Sequence, residues 1–324
     1  MAEIEPFRVM DILARARELE AQGRSIVHME VGEPDFPTPP PICDAGIAAL
    51  RKGELHYTPA LGLSELREAI AGYHRARHGV EIAASRIVVT TGSSGALLLA
   101  LGALVNPGDQ VLLADPGYPC NRNFVRLLEG EPVGVAVGAD SHYQLTPELL
   151  AQHWGNRTAA AIVATPSNPT GTVVPPAQLR AMVGLARERG GTLIVDEIYH
   201  GLVYEAEAVS ALTLADDVFV VNSFSKYFNM TGWRLGWLVV PERYLREIDK
   251  LAQNIFISPP APAQFAALAA FRPETLAIAE AHRAEFKARR DYLVPALRAL
   301  DFDVPHTPEG AFYIYAGCAR LTQD

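Results

Sequence analysis

Lys226 closes the segment S-F-S-K directly after the apolar run V-F-V-V-N. A lone lysine is ordinarily a solvated surface charge. Here Phe224, Tyr227 and Phe228 bracket it, and Trp233-Arg234-Leu235-Gly236-Trp237 follows. An amine among apolar groups and near another cation loses proton affinity and becomes a nucleophile toward aldehydes. Asp196 ends a second apolar run, T-L-I-V. A plain reading makes it a helix cap or the ion-pair partner of an arginine. A sharper one makes it the carboxylate that keeps a heterocyclic nitrogen protonated. A protonated pyridine ring is an electron sink, which removal of a proton beside an amine requires.

That pair of roles, a lysine Schiff base and an acidic partner for a ring nitrogen, matches pyridoxal 5'-phosphate (PLP) chemistry. A phosphate handle is also present. Gly92-Ser93-Ser94-Gly95 leads into an apolar helix, so free backbone N–H groups and two hydroxyls face an anion at a helix N-terminus. Ser223 and Ser225 add hydroxyls, and Arg234 adds a two-pronged cation. A glycine-serine turn alone is common between strand and helix; its weight comes from the arginine that follows the lysine. Asn168, in S-N-P-T-G, is a turn residue by composition, and Tyr199 a packed aromatic. As functional groups both would donate to a ring phenolate oxygen. Tyr118, after D-P-G, is either a core aromatic or a ring lying flat on the cofactor.

The elements that must position these groups alternate between two periodicities. Residues 7–22 carry apolar positions at helical spacing, stopped by Gly23. Val31 to Pro41 holds five prolines and reads as an extended, stiff loop. A helix is expected from Ser64, as N-cap, to Gly79. Strands are expected at 87–91, 111–114, 133–137, 159–164, 193–195 and 218–222, the last clear one. Helices are expected over 96–105, from Thr146-Pro147-Glu148, and from Pro175-Pro176 to Gly190. Strands that are apolar throughout and separated by helices predict an α/β fold, a mainly parallel sheet with helices on both faces. Ligands in such folds sit beyond the carboxyl ends of the strands. Five expected strand ends are polar or glycine-rich: Gly92–Gly95, Asp115–Tyr118, Ser167–Gly171, Asp196–Tyr199 and Ser223–Lys226. They predict one shared crevice.

S-F-S-K226 followed by M-T-G-W-R234-L-G resembles the lysine signature of the class I/II (fold-type I) PLP-dependent aminotransferases. P-S-N168-P-T-G, D196-E-I-Y199 and E-V-G32-E-P-D-F are similar to its other signatures and come in the family's order. The resemblance runs from about Pro6 to Tyr315. It implies that Lys226 forms the Schiff base and then moves the proton, with Asp196 on the pyridine nitrogen. It implies Asn168 and Tyr199 at the ring oxygen, and Ser93, Ser94, Ser223, Ser225 and Arg234 on the phosphate. Tyr57 would reach the phosphate of a neighbouring subunit, and the Gly32 backbone, with Asn168 nearby, would meet the substrate carboxylate. The expected assembly is a homodimer with active sites at the subunit interface. Expected domains are an N-terminal arm with part of a small domain (1–45), a large PLP-binding domain (46–283), and an α+β small domain (284–324). The family's late carboxylate-clamping arginine has no match here, Arg320 lying too close to Gly310-Ala311-Phe312-Tyr313. The small domain is therefore expected to be incomplete, with Phe312–Tyr315 a strand without a partner.

The expected reaction is amino transfer between an amino acid and a 2-oxo acid. β-Elimination or decarboxylation on the same scaffold uses the same residues, and a non-catalytic PLP-fold binding module is the reading outside enzymology. No residue fixes the substrate; apolar and aromatic neighbours lean toward neutral or aromatic amino acids. Composition narrows the rest. Apolar residues are 49%, charged residues 20% and net charge is −9, a globular chain without a basic stripe for nucleic acid. No apolar run approaches the roughly 20 residues of a membrane span, and residues 1–10 carry no export signal. Three scattered cysteines fit the cytoplasm, not a disulfide frame. Among the histidines, His74 and His78 are one helical turn apart. They are expected on a solvated helix face, with a metal site the minor alternative.

Overall fold

The structure is a computed structural model that describes residues 4, 6–53, 55–205 and 208–322. Its centre is a seven-stranded sheet. The strands are β1 (Ile87–Thr90), β2 (Gln110–Asp115), β3 (Glu131–Ala136), β4 (Thr158–Ala164), β5 (Thr192–Asp196), β6 (Phe219–Ser223) and β7 (Gly236–Val239). Their spatial order is β1-β7-β6-β5-β4-β2-β3. β2 through β6 pair in parallel, while β7 runs antiparallel to both β1 and β6. β1 and β6 therefore point the same way. The carboxyl ends of β1, β2, β4, β5 and β6 all open on one edge of the sheet, as the alternating pattern predicts. β7 was not foreseen, because G-W-L-V is short and sits inside the lysine signature.

Successive strand residues point to opposite faces, and here both faces are apolar. Val89, Val195 and Val220 enter one buried cluster, while Val88, Ile194 and Val221 enter the other. Each such side chain, fully buried, contributes about 1.5–3 kcal/mol. That demand explains why the strands read as unbroken apolar runs.

The helices are α1 (Arg8–Ala21), α2 (Pro40–Lys52), α3 (Ser64–His78), α4 (Gly92–Leu104), α5 (Cys120–Leu127), α6 (Pro147–His153), α7 (Pro176–Glu188), α8 (Leu245–Ile255), α9 (Ala261–Ala267) and α10 (Pro273–Ala299). Several expectations are corrected. The last two prolines of the 31–41 loop open α2, since proline is preformed for the first helical turn. Ser64 is the first residue of α3, not its cap, and its hydroxyl turns to the Glu65 carboxylate at 3.2 Å. Thr146 does cap α6, accepting from the Leu149 N–H at 3.2 Å. His74 is fully buried, accepting from Trp237 Nε1 at 3.1 Å, so α3 turns that position into the core and not to solvent. Residues 312–315 form no strand. The preceding residues are tied instead to the loops after β4 and β5, through Gly310 N–Gly171 O (3.0 Å) and Ala311 N–Leu202 O (3.0 Å).

Candidate active site

Lys226 follows β6 at the open edge of the sheet. Its Nζ donates to the carbonyl of Gly32, which arrives in the extended segment before α2. The Phe312 ring centroid lies 5.7 Å from Nζ. Burial pulls the amine down from 10.5 to about 8, helped by the Arg234 charge and opposed by Glu33 and Asp196. The amine is thus partly neutral near physiological pH, the state a nucleophile needs. The bracketing aromatics turn out otherwise than expected. Phe224, Tyr227 and Phe228 are buried in the core behind the lysine, with Phe224 against Trp237 at 4.9 Å and Phe228 against Phe271 at 5.4 Å. The ring over the amine comes from Phe312.

Asp196 closes β5 and is only 8% exposed. Its Oδ1 accepts from the Ile198 N–H at 3.1 Å. Burial pushes the carboxyl up from 3.8 to about 6, against the Ile198 hydrogen bond and the Lys226 charge. Lys226 and Asp196 therefore lie within electrostatic reach of each other. The Asp196 charge also reaches Tyr118, Tyr199 and Tyr313, so groups from four segments of the chain gather around this carboxylate.

Tyr199, 3% exposed, places its hydroxyl 2.6 Å from the Tyr313 hydroxyl. Asn168 Nδ2 donates to the same Tyr313 oxygen at 3.4 Å. Burial raises the Tyr199 phenol well above its usual range and Tyr313 to about 12. Tyr118 and Asn168 line one small cavity between the ends of β2 and β4. Phe7 meets the Tyr118 ring edge-on at 6.2 Å.

Helix α4 begins at Gly92, which puts Ser93 and Ser94 in its first turn, where backbone N–H groups lack helical partners. Arg234 lies against this turn. A Cβ on Gly92, whose φ is +71°, would meet Arg234 Nη2 at 2.7 Å. Arg234 itself is exposed and donates through Nη1 to the Thr231 carbonyl at 3.0 Å. Ser223 and Ser225 are buried, their hydroxyls 2.9 Å apart, and Ser223 Oγ also lies 3.0 Å from the Leu235 carbonyl. Ser223 thereby braces the lysine turn. Tyr57 stands apart, 81% exposed.

The residues not anticipated in the site are Tyr313, Phe312 and Glu33. Glu33 accepts from Thr231 Oγ1 and its charge acts on Lys226. G-A-F-Y was visible as a landmark, yet nothing in its pattern says which ring meets which strand end.

The chain belongs to the class I and II aminotransferases, whose family model matches residues 24–324. It is a PLP-dependent enzyme that moves an amino group between an amino acid and a 2-oxo acid. Among its relatives is a valine–pyruvate aminotransferase of Mycobacterium tuberculosis, 41% identical over all of this chain and 84% of the relative. Another is a (5-formylfuran-3-yl)methyl phosphate transaminase of Methanocaldococcus jannaschii, 39% identical over 97% of this chain and 82% of the relative. Of solved structures, an aminotransferase from Mycobacterium tuberculosis superposes with a TM-score of 0.95 at 41% identity, covering 100% of this chain and 84% of that one. Aspartate aminotransferase from Thermus thermophilus with maleate does so with 0.94 at 33% identity, covering 99% and 85%. These names favour amino transfer over β-elimination, decarboxylation or a non-catalytic module. No helix among the described residues is long and apolar enough to cross a membrane.

Proposed function

We propose that Lys226, Asp196 and Tyr199 carry the amino transfer and that Asn168, Tyr118, Ser93, Ser94, Ser223, Ser225 and Arg234 hold the cofactor. The observation that bears most weight is that the adjacent parallel strands β5 and β6 deliver the buried Asp196 carboxyl and the half-buried Lys226 amine to the same edge of the sheet, each feeling the other's charge. The groups present suit PLP in kind: an amine for its aldehyde, an acid for its ring nitrogen, and a helix N-terminus with Arg234 for its phosphate. Gly92 fits this use, because any side chain there would fill the space beside the guanidinium. Bound PLP supplies an electron-poor ring that accepts the electron pair left when the substrate loses its α-proton.

The chain's own groups do the remainder. Lys226 Nζ would hold the aldehyde carbon of the cofactor and, once free of it, would take and return the substrate's α-proton. Asp196 would face the ring nitrogen, whose positive charge would offset the burial that otherwise favours the neutral acid. Tyr199 and Asn168 offer hydrogen bonds to the ring oxygen. The first turn of α4 and Arg234 anchor the phosphate, and the Gly32 backbone, with Asn168, meets the substrate carboxylate.

The proposed amino donor is neutral, with an apolar or aromatic side chain. Phe312 over the lysine, and Tyr313 and Tyr118 within electrostatic reach of Asp196, support this, as does the valine–pyruvate relative. The proposed assembly is a cytoplasmic homodimer in which Tyr57 reaches the partner's phosphate site. Exposed Met10, Ile12, Val27, Met29 and Tyr57 favour a partner surface, and the free cysteines favour a reducing compartment. The proposed domains are those of the sequence reading, 1–45, 46–283 and 284–324, joined through α10. An absorbance spectrum of the purified protein, with and without valine or phenylalanine, tests the cofactor assignment. Product formation with pyruvate or 2-oxoglutarate as acceptor tests the reaction. A spectrum that ignores every amino donor refutes it.

A further inference from the structure

Asn168 and Tyr199 stand on different loops, after β4 and β5, yet both reach one oxygen. That oxygen is the Tyr313 hydroxyl, 2.6 Å from Tyr199 Oη and 3.4 Å from Asn168 Nδ2. Gly32 packs closely against it, for an added Cβ would lie 2.1 Å from Tyr313 Oη. The backbone that presents Tyr313 is firmly tied. Glu309 N and Gly310 N donate to Gly171 O at 2.9 and 3.0 Å, Ala311 N donates to Leu202 O at 3.0 Å, and Arg290 Nη1 holds Pro308 O at 2.7 Å. The Glu309 carboxylate also accepts from Val173 N at 2.9 Å. With that backbone held, the hydroxyl leaves its place most readily by side-chain rotation.

Two hydrogen-bonding groups aimed at one point cannot serve two oxygens at once. We propose that Tyr313 is a positioning residue: its hydroxyl holds Tyr199 and Asn168 on the point that the cofactor's ring oxygen must take, and yields that point when the ring enters. This rests on the assignment of Tyr199 and Asn168 to the ring oxygen above. The hydroxyl keeps the two groups convergent before the cofactor arrives. The same bond must break before the ring seats, so it slows association. Both phenols are raised by burial and stay protonated at neutral pH, so the link is a bond between neutral groups. Such a bond is worth a factor of roughly five.

The test strips PLP from the full-length chain and from Tyr313→Phe and Tyr313→Leu, then follows PLP re-entry by stopped-flow absorbance. Both variants should associate roughly five times faster than the parent at equal PLP, because the effect follows the hydroxyl and not the ring. Rates equal within experimental error, or slower in both variants, overturn the proposal. Tyr199→Phe, loaded with PLP, separates the two levels: the pH midpoint of its visible absorbance should move relative to the parent. A moved midpoint with unchanged Tyr313-variant rates overturns the proposal alone. An unmoved midpoint overturns the assignment of Tyr199, and the proposal with it.

Discussion

Replacing Asp196 by Asn tests whether a buried acid is kept for a cationic partner at a cost to the empty fold. Asn keeps an oxygen able to accept from the Ile198 N–H at 3.1 Å and removes the titration together with the charge felt by Lys226. Burial raises the Asp196 carboxyl from 3.8 to about 6, a preference for the neutral acid of about 3 kcal/mol. The sign follows from linkage. A folded-state value above the unfolded one gives stability that is present below 3.8 and lost as pH rises through about 6. Cofactor-free parent protein should therefore weaken against Asp196→Asn as pH rises. Between pH 4.5 and pH 8 the gap should widen by about 2 kcal/mol. For 324 residues, an unfolding entropy of about 0.7 kcal/mol/K turns this into roughly 3 °C of melting temperature. Thermal scans of both stripped proteins by tryptophan fluorescence at pH 4.5, 6 and 8 read it directly. Turnover of the loaded variant should meanwhile fall by about 10²–10³. A melting-temperature gap that stays constant across that range, or narrows, would refute the reasoning that burial outweighs the Ile198 hydrogen bond and the Lys226 charge at Asp196.

Lys226→Ala should abolish turnover and the visible absorbance that depends on the lysine linkage, with far-UV circular dichroism unchanged; a surviving band would point to another amine. Arg234→Ala should weaken PLP retention on dialysis by roughly tenfold, the loss of one charge-assisted contact at an exposed rim; unaltered retention removes Arg234 from the phosphate site. Gly32→Ala places a methyl 2.1 Å from the Tyr313 hydroxyl. It should cut kcat/KM by about tenfold or more through misplacement of the lysine contact, and steady-state kinetics with valine at the parent's level would contradict that crowding.

The chemistry and the sheet were legible in the chain because both are written locally. Each strand buried on two faces must be an unbroken apolar run, and the polar residues that end it are its immediate neighbours. Lys226 after β6, Asp196 at the end of β5, Asn168 after β4 and the Gly92–Gly95 turn after β1 could all be read this way. So could their convergence, since parallel strands deliver their carboxyl ends to one edge. Tertiary structure alone decided what meets at that edge. Lys226 and Gly32 are 194 residues apart, and Tyr199 and Tyr313 are 114 apart; no periodicity links them. His74 shows the same limit, for a basic helix sequence gives no sign that Trp237, from the unforeseen antiparallel β7, will cover it. Residue type and spacing specify which groups a strand end offers. The side-chain contacts between distant segments depend on packing the whole chain at once, and that information exists only in the folded molecule.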